Sequence, residues 1–116
     1  MREIVSAMKS GNLRAKLAFD IFVHRLQAGI GAMAASLGGI DVLVFTAGIG
    51  ENSVEVREST SANLAFLGVQ LDRVKNAACK PDRDISAANS QVQTLVIEAQ
   101  EDWAIACASW KLLSTQ

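Results

Sequence analysis

The chain has 116 residues, half of them hydrophobic, which is enough sequence for one domain with a buried core. Eleven lysines and arginines offset twelve acidic residues without any basic run or stripe, so nucleic acid is not an expected partner. No apolar run approaches the roughly 18 to 20 residues of a membrane helix, and the first residues lack the pattern of a signal peptide. We therefore expect a globular, cytoplasmic protein with no membrane partner.

The first predicted element is a long amphipathic helix. Apolar residues recur every three or four positions from Leu13 to Leu37, the period of one helix face, and Gly38-Gly39 predicts its end. Gly29 and Gly31 lie inside this pattern and lower helix propensity. We expect them to mark close packing against a neighbouring element.

A strand and a second helix follow. The continuous apolar run Val42 to Phe45 is typical of a central parallel strand that is buried on both faces. A helix is predicted to begin near Asn52, which caps it while Glu55 reaches back in a capping box, and Gly68 follows its end.

The second half of the chain begins with a polar stretch. Residues 72 to 91 include the only proline and are predicted to be loop or weak structure. Thr94 to Ile97 is a second β-type run, and a helix is predicted from Ala104 to Leu113. The order α, β, α, β, α predicts a layered α/β fold with a partly parallel sheet.

The turn after the first strand is a candidate ligand site. Ligands of open α/β sheets lie beyond the carboxyl ends of the strands, where Gly48 and Gly50 would let the backbone approach a ligand closely. The stretch is not a Walker A loop, because no Lys-Ser/Thr follows the glycines, and it is not GxGxxG, because position 53 is serine. Spacing alone leaves two interpretations: a nucleotide site or a plain strand-turn-helix connection.

A longer motif around these glycines is much more specific. The stretch VFTAGIGENSVEVRE, residues 44 to 58, closely resembles the FT-[GA]-GIGEN-S-x-x-[VI]-R signature of the acetokinase family. Residues 1 to 41 resemble the family segment that begins with an Asp-Met-Arg-Glu box. Residues 85 to 106 resemble its closing segment, IS…S…VLVIPT[ND]EE…IA. The resemblance covers nearly the whole chain. Since family members are much longer, it implies a C-terminal portion of an acetate kinase.

The resemblance implies a fold and a reaction. Acetokinases belong to the actin-like, RNase H-like ATPase superfamily with sugar kinases and Hsp70, and hold ATP between two related domains. Residues 1 to 116 would be a single domain, the C-terminal nucleotide-binding portion, without the N-terminal portion. Family enzymes interconvert ATP and acetate with ADP and acetyl phosphate, using Mg²⁺. Such phosphoryl transfer depends chiefly on positioning and charge neutralisation.

The resemblance also assigns site residues. In the family, five residues of the glycine motif line the adenosine side of the ATP site, and the Asp-Met-Arg box contacts the nucleotide as well. The matching positions here are Gly48, Ile49, Gly50, Glu51, Asn52, Met1 and Arg2. The aspartate of that box has no counterpart in this sequence.

Glu101 is the candidate Mg²⁺ ligand. It matches the first glutamate of the family's Thr-Asn/Asp-Glu-Glu box, and Mg²⁺ is typically held by one or two carboxylates, nucleotide phosphates and waters. The sequence departs from the pattern here, because residues 98 to 102 read EAQED, without the threonine and with a shorter second acid. The alternative is an acidic residue that the dipole of a helix N-terminus favours.

Several other conspicuous residues have a structural interpretation. His24 matches no catalytic histidine of the family and is expected to be a surface or partly buried helix residue. Trp103 and Trp110 are expected to share one helix face and to pack in a core or an interface. Arg57 and Glu58 belong to the extended signature, although their simplest interpretation is a solvated helix face.

The family's acetate pocket, catalytic arginines and histidine, and phosphate loops correspond to sequence upstream of residue 1. We therefore expect no catalytic residue in this chain and no activity from the chain alone. Three alternatives stay open: propionate or butyrate as the substrate, a non-catalytic nucleotide-binding or interaction module, and a packing domain with a degenerate, empty site. Family enzymes commonly form homodimers through this region, so self-association is expected as well.

Overall fold

The computed structural model describes residues 1–114, which form an α/β fold with helices packed around a small mixed sheet. Within these residues, no helix is both long enough and apolar enough to cross a membrane. The elements, in chain order, are α1 (Arg2–Lys9), α2 (Leu13–Leu37), β1 (Val42–Thr46), α3 (Ala47–Asn52), α4 (Val54–Ala62), a 3₁₀ helix (Ala65–Leu67), α5 (Arg73–Ala77), β2 (Arg83–Asp84), β3 (Gln93–Ile97) and α6 (Glu101–Ser114).

The sheet has the strand order β1-β3-β2. β1 runs parallel to β3, with Val42 opposite Gln93 and Thr46 opposite Ile97. β2 is antiparallel to β3 and pairs Arg83 with Val96. The partly parallel sheet predicted from the order of elements is therefore confirmed, and β3 is its central strand.

Three hydrophobic clusters form the core. The first joins α1, α2 and α4, the second lies between β1, β2 and β3, and the third lies where the 3₁₀ helix meets the segment before β3. Their buried members are Val5, Phe19, Val23 and Val56; Phe45, Ile85 and Val96; and Leu64, Val69 and Val92. The sheet and helix layers thus hold the carboxyl end of β1 in a fixed position.

α2 matches its predicted length, but its glycines do not play the predicted role. Asn12 caps the helix by accepting from the Ala15 N–H at 3.0 Å, and Gly38 ends it in the left-handed conformation, at a φ of 75°. A Cβ added at Gly29 or Gly31 would meet no atom within 4 Å. The expectation of close packing at these two glycines is therefore wrong, because both face open space.

β1 has one buried face rather than two. Leu43 and Phe45 contact the core, whereas Val42 and Val44 are 45% and 47% exposed. The prediction of a central strand buried on both faces is wrong within residues 1–114, because β1 lies at the edge of the sheet there and pairs only with β3. The apolar run correctly predicted a parallel strand.

The predicted capping residue of the helix after β1, Asn52, is wrong. The turn forms a short helix of its own, α3, so the cap of α4 moves to Ser53, whose hydroxyl accepts from the Val56 N–H at 3.4 Å. Asn52 instead ends α3 and donates to the Gly48 carbonyl at 2.9 Å. Glu55 forms an ion pair with Lys9 of α1.

Two segments contain more structure than predicted. Residues 72 to 91 include α5, capped by the Asp72 carboxylate, and the short strand β2. α1 precedes the first predicted helix, and α6 begins three residues earlier than predicted, at Glu101. α5 and β2, with five and two residues, are too short to show a clear periodicity, so packing against neighbours determines them.

Candidate functional site

The turn between β1 and α3 has an unusual backbone. Ala47 has a φ of 59°, a left-handed conformation that costs a non-glycine residue about 1 kcal/mol. The two glycines that follow have different roles. A Cβ at Gly50 would lie 3.1 Å from the Phe45 carbonyl carbon, so Gly50 lets α3 pack against the strand end. A Cβ at Gly48 would meet nothing within 4 Å, so Gly48 leaves space open above the turn.

That space belongs to a cleft of about 650 Å³ between α3 and the first turns of α1. Met1 and Arg2 line one side, and Gly48, Ile49 and Asn52 line the other. Five of the seven residues predicted for the nucleotide therefore meet in this first cleft, although at least 46 positions separate the two groups in sequence. The other lining residues are Glu3, Val5, Ser6, Lys9, Ser53 and Glu55.

Some of the charged side chains around the first cleft form an ion pair, and one does not. Lys9 and Glu55 form an ion pair at its border, and the hydrogen bond from Lys9 lowers the pKa of Glu55, against an opposing effect of burial. Arg2 is exposed and makes no ion pair with any residue in the range 1–114. Its positive charge is therefore available to an anionic ligand.

A second cleft, of about 530 Å³, also borders Gly48. Ala47, Gly48 and Glu51 line it together with residues 98 to 103. Glu51 accepts a hydrogen bond from the Ala99 N–H at 2.8 Å. The structure therefore places Glu51 and Glu101 in the second cleft, which shares only Gly48 with the five residues of the first, while Gly50 lines neither cleft.

Glu101 is an exposed residue in the first turn of α6. Across the described part of the chain, no three His, Cys, Asp or Glu side chains are grouped so that they could hold a metal ion. A single carboxylate still suits Mg²⁺ when nucleotide phosphates and waters supply the other oxygen ligands. The role of Glu101 as a Mg²⁺ ligand, together with nucleotide phosphates and waters, stays a prediction.

Arg57 is the residue that sequence reasoning misjudged most. It is 1% exposed, so the expected solvated face is wrong at this position. Its Nη1 donates to the Gly50 and Glu51 carbonyls, both at 2.8 Å, and its Nε donates to the Asn76 Oδ1 at 2.7 Å. A fourth hydrogen bond joins its Nη2 to the Asn76 carbonyl at 3.1 Å.

This buried guanidinium holds the glycine motif in place. Burial lowers the pKa of Arg57, yet the group stays charged because arginine titrates far above neutral pH. The four hydrogen bonds join the end of α3 to α5 through one side chain on α4. The signal in the sequence was the extended signature, which includes this arginine.

The other conspicuous residues lie outside both clefts or at the edge of one. His24 is exposed on α2, as expected for a surface helix residue. Glu58 is partly exposed and forms an ion pair with Arg73 at 2.8 Å. Trp103 and Trp110 are 67% and 71% exposed, so core packing is wrong for them within residues 1–114, and interface packing stays a prediction.

Comparison with known proteins identifies the family. The family model described as "Acetokinase family" matches residues 1–107. The chain belongs to the acetokinase family. It is 57% identical over 113 residues to the acetate kinase of Gloeobacter violaceus and 56% identical over 112 residues to that of Microcystis aeruginosa. Both alignments cover 97% of this chain, which spans only 28% of the length of either relative.

Solved structures agree with this family. The acetate kinase of Porphyromonas gingivalis matches 97% of this chain with a TM-score of 0.84 at 38% identity. A propionate kinase from Francisella tularensis matches 90% with a TM-score of 0.82 at 35% identity. The chain covers 28% and 27% of those two structures. The predicted fold class, part of an actin-like ATPase domain, is confirmed.

Proposed function

We propose that residues 1 to 116 form one domain, the nucleotide-binding portion of an acetate kinase that converts ATP and acetate to ADP and acetyl phosphate. The observation that carries this proposal is the first cleft, in which Met1 and Arg2 meet Gly48, Ile49 and Asn52. The resemblance predicted both groups as nucleotide contacts. Membership of the acetokinase family supports the same reaction.

Each residue of the first cleft offers the nucleotide a different interaction. Gly48 leaves room for the adenosine, because no protein atom occupies the position of its missing side chain. Ile49 is 37% exposed and provides an apolar contact for a base or ribose. Asn52 is exposed and carries an amide that both donates and accepts, and Arg2 contributes a positive charge.

Glu101 would hold the Mg²⁺ that accompanies ATP. The metal ion would supply positive charge, which neutralises the negative charge that develops during phosphoryl transfer. The contribution of this chain is one carboxylate at the border of the second cleft, with Gly48 shared between the two clefts. ATP bound at Gly48 would therefore lie beside both clefts.

We infer that this chain alone does not catalyse the reaction, because the resemblance assigns the acetate pocket and the catalytic residues to another part of the protein. Purified chain, incubated with ATP, Mg²⁺ and acetate, should yield no acetyl phosphate in a hydroxamate assay. Formation of acetyl phosphate by material free of any complete acetate kinase would contradict this inference.

The nucleotide site is tested by calorimetric titration of the chain with Mg·ATP, beside an Asn52→Ala variant. We expect saturable binding that the substitution weakens by about tenfold, the effect of one lost side-chain hydrogen bond to a ligand. Arg73→Ala, a change on α5 outside both clefts, should bind like the unchanged chain. Equal binding by the Asn52→Ala variant would remove Asn52 from the site.

Propionate is the second candidate substrate, because one of the matching structures is a propionate kinase. The two reactions share the nucleotide site and differ in the carboxylate pocket. Steady-state kinetics of the complete protein with acetate, propionate and butyrate would discriminate between them. The proposed acetate kinase predicts the highest kcat/KM for acetate.

A further inference from the structure

The short segment after β3 is held by one carboxylate on each side. The Glu51 Oε1 accepts from the Ala99 N–H at 2.8 Å, and the Asp82 Oδ1 accepts from the Glu98 N–H at 3.2 Å. Carboxylates that accept from backbone N–H groups form stronger hydrogen bonds than neutral acceptors. The contact with Glu51 is the shorter of the two, and it reaches across 48 residues of sequence.

The position of α6 depends on this segment. Every described residue of α6 is exposed except Cys107, which is half-buried, so the helix has little core of its own. Its first residue, Glu101, follows Ala99 by two positions. A hydrogen bond at Ala99 therefore restrains the carboxylate of Glu101 relative to the glycine turn.

Glu51 is itself firmly placed. Its carbonyl accepts from the buried guanidinium of Arg57 at 2.8 Å, while its side chain extends to Ala99. A continuous set of contacts thus runs from the buried arginine through Glu51 to the segment that carries Glu101. One carboxylate oxygen of Glu51 is therefore already engaged with the protein backbone.

We propose that Glu51 is a positioning residue, which fixes Glu101 relative to the nucleotide turn instead of binding the nucleotide itself. This inference rests on the proposed nucleotide and Mg²⁺ site and changes the role that the resemblance gave to Glu51. The Ala99 hydrogen bond would keep the segment that carries Glu101 in a constant position relative to Glu51 and the glycine turn. Without that bond, the α6 carboxylate would sample many positions.

Two substitutions separate positioning from charge. Glu51→Gln keeps an oxygen that accepts from the Ala99 N–H but removes the negative charge, whereas Glu51→Ala removes both. Glu58→Ala is the matched control, because it removes a glutamate whose ion pair with Arg73 lies outside both clefts. All three variants and the unchanged chain are labelled with ¹⁵N for NMR.

The first readout is the rate of hydrogen exchange at the Ala99 amide. We expect slow exchange in the unchanged chain, the Glu58→Ala variant and the Glu51→Gln variant, and exchange about tenfold faster in the Glu51→Ala variant. Fast exchange at Ala99 in the unchanged chain would overturn the proposal, whether or not the chain binds a nucleotide. If the Glu51→Ala variant does not fold, loss of protection in the Glu51→Gln variant would overturn it equally.

The second readout is a titration with ATP followed by Mg²⁺. ATP should shift the Gly48 amide signal in all four proteins. Mg²⁺ should then shift the Glu101 signal with an affinity about tenfold weaker in the Glu51→Ala variant and unchanged in the Glu51→Gln variant. Loss of the ATP response at Gly48 in both Glu51 variants would show that Glu51 is a direct ligand, and would overturn the positioning role.

The two proposals fail in different ways. An unchanged chain that gives no ATP response at Gly48 contradicts the proposed nucleotide site. The positioning role is then decided by Ala99 exchange in the four proteins. Conversely, normal ATP binding with equal Mg²⁺ affinity in all four proteins keeps the nucleotide site and overturns the coupling through Glu51.

Discussion

The two ends of the candidate site are stabilised very differently. The glycine motif rests on Arg57, which is 1% exposed and hydrogen-bonded to α3 and to Asn76 of α5. α6, which carries Glu101, exposes 67% of Trp103 and 71% of Trp110. The comparison shows that this chain holds its glycine motif through its own core, whereas the position of the Glu101 carboxylate depends on a few hydrogen bonds near the start of a helix.

The largest effect should come from Arg57→Ala. This substitution removes all four hydrogen bonds and leaves the carbonyls of Gly50, Glu51 and Asn76 without that donor, so we expect the free energy of unfolding to fall by about 4 kcal/mol. Urea denaturation measures this free energy of unfolding. Arg73→Ala, which removes an exposed arginine with one ion pair, should cost less than about 0.5 kcal/mol. Equal losses from the two variants would mean that the buried network does not stabilise the fold.

A matched pair of leucines sharpens the comparison. Leu64 is 2% exposed in the core, whereas Leu113 in α6 is 71% exposed. Leu64→Ala should lower the free energy of unfolding by about 3 kcal/mol through the cavity it creates. Leu113→Ala should change it by less than about 0.5 kcal/mol. A large loss from Leu113→Ala would show that α6 packs against a surface in solution, such as a second copy of the chain.

Two glycines, Gly68 and Gly31, differ in the same way in how tightly their surroundings are packed. Gly68 has a φ of 89°, and a Cβ there would lie 2.9 Å from the Gln91 Cβ, so Gly68→Ala should cost about 2 kcal/mol in thermal unfolding experiments. Gly31→Ala is the control, because its Cβ would meet nothing within 4 Å. It should raise stability by about 0.5 to 1 kcal/mol, since alanine has the higher helix propensity. A neutral Gly68→Ala would contradict the close approach between the 3₁₀ helix and the segment before β3.

The smallest effect concerns acid pH at β2. Hydrogen bonds from Ser86 and then Gln93 lower the pKa of Asp84 from 3.8 to about 2. A carboxyl with a depressed pKa in the folded state stabilises the protein above its unfolded pKa, and this contribution is lost as the pH falls from about 4 to about 2. Because Asp84 is exposed, we expect a loss of less than about 1 kcal/mol.

Asp84→Asn tests this contribution directly. Asparagine keeps an acceptor oxygen for the Ser86 N–H but does not titrate, so urea midpoints of the variant should fall less between pH 4 and pH 2. Identical pH profiles for the two proteins would show that Asp84 has the same pKa in the folded and unfolded states.

Periodicity predicted the long elements well and the short ones poorly. The repeat from Leu13 to Leu37 identified α2 along its whole length, and the apolar run at Val42 identified a parallel strand. α5, with five residues, is too short to show a period, and the Asp72 cap and contacts with α4 determine it. The exposure of one face of β1 could not be predicted, because it depends on whether another element covers that face and on where the strand lies in the sheet.

The residues of the candidate site were predicted from the resemblance to the acetokinase family rather than from periodicity or spacing. No spacing rule connects Met1 and Arg2 to Gly48 and Asn52; only the family motifs predicted that both groups contact the nucleotide, and the structure shows that they line one cleft. Arg57 was missed because isolated arginines on helices are usually solvated, and because its hydrogen-bond partners are backbone carbonyls, which a sequence does not reveal.

The most direct test of the proposed nucleotide site is calorimetric titration of Gly48→Ala and Gly31→Ala with Mg·ATP. Neither added methyl group meets a protein atom within 4 Å, so both variants should fold, and only a ligand above the turn can collide with the alanine at position 48. We predict binding at least about tenfold weaker for Gly48→Ala and unchanged binding for Gly31→Ala. Equal binding by Gly48→Ala and the unchanged chain would contradict a nucleotide site at this turn.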